Sequence, residues 1–164
     1  MLPKRKPTRL PFYDYSTPGA YFITICTQDR KNLLCHIVGG GALDAPKCHL
    51  THSGEIVRQY ILSSARIPNV QIDKYVIMPN HIHLLLSINE TAFGGTSRAP
   101  SPTNAIIPHF VSTLKRFCHQ AIGVKIFQRS YHDHVIRCEQ DYLKIWEYID
   151  TNPAQWKNDC FYQD

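Results

Sequence analysis

Residues 75–86 read YVIMPNHIHLLL, an apolar run broken by a Pro-Asn turn and resumed by two histidines one residue apart. Successive side chains of a strand point to opposite faces, so a period of two puts Ile82, Leu84, Leu86 and Ile88 on one side. His81, His83, Leu85 and Ser87 fall on the other. The first side reads as core, and the second presents a pair of imidazoles from one sheet face. Imidazole is a common ligand for divalent metals, so the pair is a candidate metal clamp; two histidines on a half-solvated sheet face have the same spacing. Pro79-Asn80 is turn chemistry, and it predicts that a strand from about Val70 to Met78 pairs antiparallel with a strand from His81 to Ile88.

Working outward, Tyr21–Thr27 (YFITICT) is aromatic and β-branched and reads as a first strand buried on both faces. Thr51 or Ser53 can cap a helix with the stripe Ile56, Val57, Tyr60 and Ile61, which Pro68 stops. Thr103 or Asn104 can cap a second helix whose stripe is Ile107, Phe110, Val111, Leu114, Phe117 and Cys118, ended by Gly123. A short strand over Tyr131–Arg137 and a helix over Glu139–Thr151, stopped by Asn152-Pro153, complete the pattern. The order strand, helix, strand, strand, helix, strand, helix predicts an α+β fold: an antiparallel or mixed sheet with packed helices, of ferredoxin-like type.

The chain has 164 residues, with 18 Lys and Arg against 13 Asp and Glu for a net charge of +5. That length predicts one domain over 1–164, and the charge favours a polyanionic partner. The arm over 1–16 carries Lys4, Arg5, Lys6 and Arg9 between prolines, with no apolar signal core behind it, and no later segment is long enough to span a membrane. A cytoplasmic protein is the expectation. Two Gly- and Pro-rich stretches, near 37–48 and 91–103, read as flexible insertions, the first as an exposed hairpin. The glycines at 39–41 are not a phosphate loop, since no Lys-Ser/Thr pair follows them. Six cysteines without a Cys-x-x-Cys pair predict reduced, mostly buried thiols.

In the last helix Tyr142, Ile145, Trp146 and Ile149 form the apolar stripe, and Asp141, Lys144, Tyr148 and Asn152 another face. Tyr148 therefore stands beside the core stripe with its hydroxyl free to face a site, or else covers the core edge. Asn152 lies one helical turn on and can approach the same place, or simply end the helix. His132-Asp133-His134 is a rival clamp, for which structural or phosphate-contacting roles are the preferred reading.

The stretches YVIMPNHIHLLL (75–86), SYHDHVIR (130–137) and YIDTNP (148–153) together resemble the single-tyrosine HUH transposases, specifically the REP-associated tyrosine transposases. The likeness runs from about Tyr21 to Trp156. It implies the HUH endonuclease architecture and a metal-dependent enzyme that nicks single-stranded DNA at or near palindromic hairpin repeats, joining the 5′ phosphate to tyrosine and later transferring the strand. Carried over by position, His81 and His83 match the metal pair for Mg²⁺ or Mn²⁺, Tyr148 the nucleophile, and Asn152 the place of a third ligand. Related insertion-sequence transposases carry Gln at that place, so the shorter Asn152 leaves direct ligation, ligation through water and no ligation all open. Phosphate contacts are expected from Lys4, Arg5, Lys6, Arg9, Lys115, Arg116, Lys125, Arg129, His132, His134 and Arg137. The likeness favours a monomer, with a dimer as the alternative since insertion-sequence relatives build each site from two subunits, and nucleoid association is the expected localisation. The competing expectation is a non-catalytic hairpin-binding protein derived from a transposase.

Overall fold

A computed structural model describes residues 10–40, 44–89 and 105–163. Four strands, β1 (Gly19–Cys26), β4 (Val70–Ile77), β5 (His81–Ile88) and β6 (His132–Ile136), form an antiparallel sheet in the order β4-β5-β1-β6. Between β1 and β4 in the chain, β2 (Cys35–Val38) and β3 (Lys47–Leu50) pair as a separate two-stranded sheet. Three helices, α1 (His52–Ser63), α2 (Ile106–Ile122) and α3 (Glu139–Thr151), pack around the larger sheet, and a 3-10 segment, Asn152–Asn158, follows α3. This is the α+β architecture that the alternation of patterns predicts.

The two faces of the sheet have different work. Tyr21, Ile23 and Ile25 of β1 and Ile82, Leu84, Leu86 and Ile88 of β5 share one apolar cluster with Val57 and Ile61 of α1 and Phe110, Val111, Leu114 and Cys118 of α2. On the opposite face, Leu85 and Ile136 meet Ile145 and Ile149 of α3 in a second, smaller cluster. Burying each such side chain contributes about 1.5–3 kcal/mol, so the larger cluster holds the sheet and the smaller one fixes where α3 lies. Polar contacts set its register: Tyr142 donates to Asp73 at 3.1 Å, and the Lys74 ammonium sits 2.6 Å from Asp150 and 4.2 Å from the centre of the Trp146 ring.

Local chemistry accounts for the element ends. Thr51 caps α1 by accepting from the Gly54 N–H at 3.1 Å, and the missing side chain at Gly54 lets the helix press against the Leu34 carbonyl. Gly123 ends α2 with φ 86°, a left-handed conformation that suits glycine. The α2 start departs from expectation. The helix begins at Ile106 behind Ala105, and the hydroxyl of Ser16 accepts the Ile106 N–H at 3.1 Å. A cap from the far end of the chain does what Thr103 or Asn104 was expected to do; those two residues, the insertion over 91–103 and the cations Lys4, Arg5, Lys6 and Arg9 lie outside the described residues.

Candidate metal centre and nucleophile

The Pro79-Asn80 turn is held from several sides. Its carbonyl at Asn80 accepts from the Thr27 N–H at 2.8 Å and the Thr27 hydroxyl at 3.0 Å, while the Pro79 carbonyl accepts from the Leu34 N–H at 2.9 Å. The fully buried Asn80 side chain is satisfied at both ends: Nδ2 donates to the Phe161 carbonyl at 2.7 Å and the Arg30 carbonyl at 3.2 Å, and Oδ1 lies 2.8 Å from His81 Nδ1. Thr24 of β1, cross-strand partner of His83, brings its hydroxyl to 2.8 Å from His83 Nδ1. With both Nδ1 atoms occupied by oxygen partners, both Nε2 atoms turn the same way and approach to 3.0 Å. Outer partners of this kind fix tautomer and ring orientation in metal-ligating histidines.

Burial drives the acid–base state of the pair. Desolvation holds His81 down at about 4, and burial followed by the neighbouring His81 holds His83 well below the ordinary imidazole value. Both rings are therefore neutral near pH 7 and offer lone pairs. Asp159, from the segment after the 3-10 turn, joins them: one ligand atom of each of His81, His83 and Asp159 lies within 4.8 Å of the others. Asn152 is fully buried beside them, donating from Nδ2 to Asp159 Oδ2 at 3.0 Å, and its Oδ1 has no hydrogen-bond partner among the described residues. Two imidazole nitrogens and a carboxylate are a donor set that could hold a metal ion.

Tyr148 reaches the same place. Its hydroxyl is 3.4 Å from His83 Nε2 and donates to Asp159 Oδ2 at 3.2 Å, and its ring is edge-on to Phe22 and His83. The side chain remains 37% exposed, enough for an incoming group to meet the oxygen. Burial first, then the charge of Asp159 and the hydrogen bond to it, push the phenol up to about 12 against a lowering hydrogen bond from Asn152, so it is protonated at neutral pH. Two other tyrosines near it in the chain are placed elsewhere. Tyr131 is buried in the α1/α2 cluster, and Tyr142 is engaged with Asp73.

Residues expected at the site from sequence thus fall into three groups. His81, His83, Tyr148 and Asn152 come together. His134 pairs with Asp141 of α3 at 2.7 Å, and exposed His132, cross-strand partner of Thr24, stands 6.3 Å from the Phe161 ring at the edge of the site without being one of the three clustered ligands; Arg116, Arg129 and Arg137 are exposed elsewhere. Lys115 requires a correction. It is 8% exposed, and its ammonium donates to the carbonyls of Gln128, Arg129 and Ser130 at 2.8, 3.2 and 2.9 Å, so it ties a loop rather than standing ready for phosphate. Asp159, Asn80 and Thr24 escaped the sequence reading. The Pro79-Asn80 turn was the available signal for Asn80; nothing near Asp159 in the chain marks it.

Phe161 completes the site from above. Its ring centre lies 4.7 Å from that of His81 and 6.1 Å from that of His83, and its N–H donates to Asp159 Oδ1 at 2.7 Å. The Trp156 ring centre lies 6.0 Å from that of His81.

No family model matches this sequence. A Haemophilus influenzae protein described as uncharacterized is 32% identical across 98% of this chain and 94% of its own length. The REP-associated tyrosine transposase of Escherichia coli is 25% identical across 86% of this chain and 70% of its own. Among solved structures, a REP-associated tyrosine transposase bound to a REP hairpin superposes with a TM-score of 0.61 at 21% identity, covering 90% of this chain and 74% of that one, and shares the fold. The chain belongs to one family with the Haemophilus influenzae protein and stands in a distant relationship to the REP-associated tyrosine transposases.

Proposed function

We propose that this protein is a divalent-metal-dependent, single-tyrosine DNA endonuclease and strand transferase that acts on single-stranded DNA at or near palindromic hairpin repeats. The observation that carries the reading is the approach of the Tyr148 hydroxyl to His83 Nε2, beside a donor set suited to a cation. A bound Mg²⁺ or Mn²⁺ would neutralise charge on the scissile phosphate and on the departing oxygen.

His81, His83 and Asp159 would hold that ion, with the Asn152 amide oxygen as a further donor. Tyr148 supplies the nucleophile: its oxygen bonds to phosphorus, the bond from phosphorus to the 3′ oxygen breaks, and the leaving 3′ oxygen takes a proton from solvent to depart as a 3′ hydroxyl. The phenolic proton must go as the oxygen attacks, and its hydrogen bond to Asp159 Oδ2 gives it an acceptor. The resulting 5′-phosphotyrosine retains a phosphodiester, so attack by another 3′ hydroxyl reverses the step and joins a strand without a nucleotide cofactor. Tyr148 meets the histidines of its own chain, which supports a monomer acting in cis. Among the described residues no helix is long and apolar enough to cross a membrane.

A second reading, a hairpin-binding protein without cleavage, draws on the Phe161 ring packed against His81 at 4.7 Å and edge-on to His83 at 6.1 Å. One assay separates them. Purified protein is incubated with hairpin-bearing single-stranded DNA and Mn²⁺, and a denaturation-resistant protein–DNA adduct is sought. The enzymatic reading expects an adduct with the native chain and none with Tyr148→Phe; binding without adduct in the native chain supports the second reading.

A further inference from the structure

We propose that Cys35 and Cys48 are a redox-active dithiol, which a hydroperoxide converts reversibly to a disulfide across the β2–β3 hairpin. The site needs nothing from the DNA reading. Side chains alternate along both strands, so Cys35, Ile37, Cys48 and Leu50 turn inward while His36, Val38, Lys47 and His49 are exposed. Cys35 stands opposite Leu50 and Cys48 opposite Ile37, which makes the two cysteines diagonal neighbours on one face. A two-stranded ribbon twists strongly, and the twist shortens one diagonal of each pair. Here the short diagonal joins the two sulfurs, for the thiols share a hydrogen bond. The ribbon forms a sheet of its own, so its strands can close the remaining distance without disturbing the larger sheet.

A buried cysteine usually behaves as an inert small hydrophobe, and Cys26 and Cys118 fit that description, with burial pushing their thiols up to about 11 and about 12. Cys48 differs. The hydrogen bond from Cys35 holds its thiol below the ordinary value against the opposing effect of burial, whereas that same bond and then burial push Cys35 up. The proton therefore stays on Cys35, and the thiolate, the reactive form, develops on Cys48. Access matches this division: Cys35 is fully buried and Cys48 partly exposed, so the nucleophile is the sulfur that an oxidant can meet.

The chemistry closes with the peroxide alone. The Cys48 thiolate attacks one peroxide oxygen, the O–O bond breaks, and the departing oxygen keeps the bonding pair and takes a proton from solvent. Cys48 is then a sulfenic acid. The Cys35 sulfur attacks the Cys48 sulfur, the S–O bond breaks, and hydroxide leaves with the Cys35 proton as water. Two electrons have passed from the thiols to the peroxide. The reduced Cys35 thiol also donates to the Ile77 carbonyl at 3.3 Å, and the Leu34 N–H beside it donates to the Pro79 carbonyl in the turn before His81. The disulfide has no proton to give Ile77, so oxidation removes one tie between the hairpin and the strand that leads into that turn.

For the test, reduced and desalted protein is treated with stoichiometric hydrogen peroxide and remaining thiols are blocked with N-ethylmaleimide. The band of monomer mass on a non-reducing gel is then digested for tandem mass spectrometry. The expected product is a peptide pair joined through Cys35 and Cys48 that dithiothreitol separates. In the reduced native chain Cys48 should be alkylated at pH 7 several-fold faster than Cys138, although Cys138 is the more exposed. In Cys35→Ala, shown by thermal melt to be folded, that order should reverse and peroxide should leave Cys48 as a sulfenic acid that dimedone captures. The mapping and the native alkylation rates stand without the variant. Cys35 and Cys48 recovered as separate maleimide adducts once the peroxide is consumed would overturn the proposal. So would a disulfide joining either of them to Cys138 or Cys160, or slower alkylation of Cys48 than of Cys138 in the native chain.

Discussion

Replacing Asn80 by alanine tests how the turn before the histidines builds the site. The side chain is completely buried and makes three hydrogen-bonding contacts, to His81 Nδ1, the Phe161 carbonyl and the Arg30 carbonyl. At a net contribution of about 1 kcal/mol each, their loss predicts a destabilisation of about 2–4 kcal/mol, the upper end applying if the orphaned groups stay dry. The turn itself should persist, because the backbone carbonyl still accepts from both donors of Thr27. His81 loses the oxygen that fixes its tautomer and rotation, and removing such an outer partner typically weakens metal binding by about 10- to 100-fold. Urea unfolding and calorimetric Mn²⁺ titration of the same preparation measure the two quantities. A variant within about 0.5 kcal/mol of the native stability, binding Mn²⁺ within about twofold of it, would refute the view that Asn80 orients the ligand.

Three further outcomes follow from the same geometry. Gly54→Ala should destabilise by about 1–3 kcal/mol in urea despite alanine's better helix propensity, because a Cβ there falls inside the contact radius of the Leu34 carbonyl oxygen; a more stable variant would contradict the packing. Lys115→Met should cost about 2–4 kcal/mol by the same measure through loss of three charge-assisted bonds to carbonyls, and a neutral outcome would return Lys115 to the surface role first expected of it. For pH, the depressed imidazoles bind fewer protons folded than unfolded, so metal-free stability is full above about 6.5 and falls as pH drops from there toward about 4. His81→Gln with His83→Gln should flatten that acid limb of the urea midpoint, and an unchanged limb would place the titration elsewhere.

Much of the sheet was legible because one period settles it. Alternation along His81–Ile88 separates imidazoles from core, whereas the register that sets Thr24 opposite His83 is visible only in the folded sheet. Helical spacing likewise put Tyr148 and Asn152 on a face distinct from Ile145 and Ile149, and both of those apolar residues are buried. What a periodicity cannot convey is the partner of a side chain that leaves the stripe. Lys115 lies off the stripe of α2 and reads as a surface cation; only the packed loop 128–130 shows three carbonyls waiting for it. Asp159 was hidden for a related reason. It sits in a short irregular stretch after Trp156, and its approach to His81 depends on the 3-10 turn folding the chain back over β5. The start of α2 shows the same limit, since its Ser16 partner comes from the other end of the chain.

The most direct test of the account is to map the covalent attachment. After reaction with hairpin-bearing single-stranded DNA in Mn²⁺ and nuclease trimming, tandem mass spectrometry of the digested protein should find the nucleotide remnant on the peptide carrying Tyr148, joined through its phenolic oxygen. A remnant on any other residue, or an unmodified Tyr148 peptide in a sample whose DNA has been nicked, would contradict it.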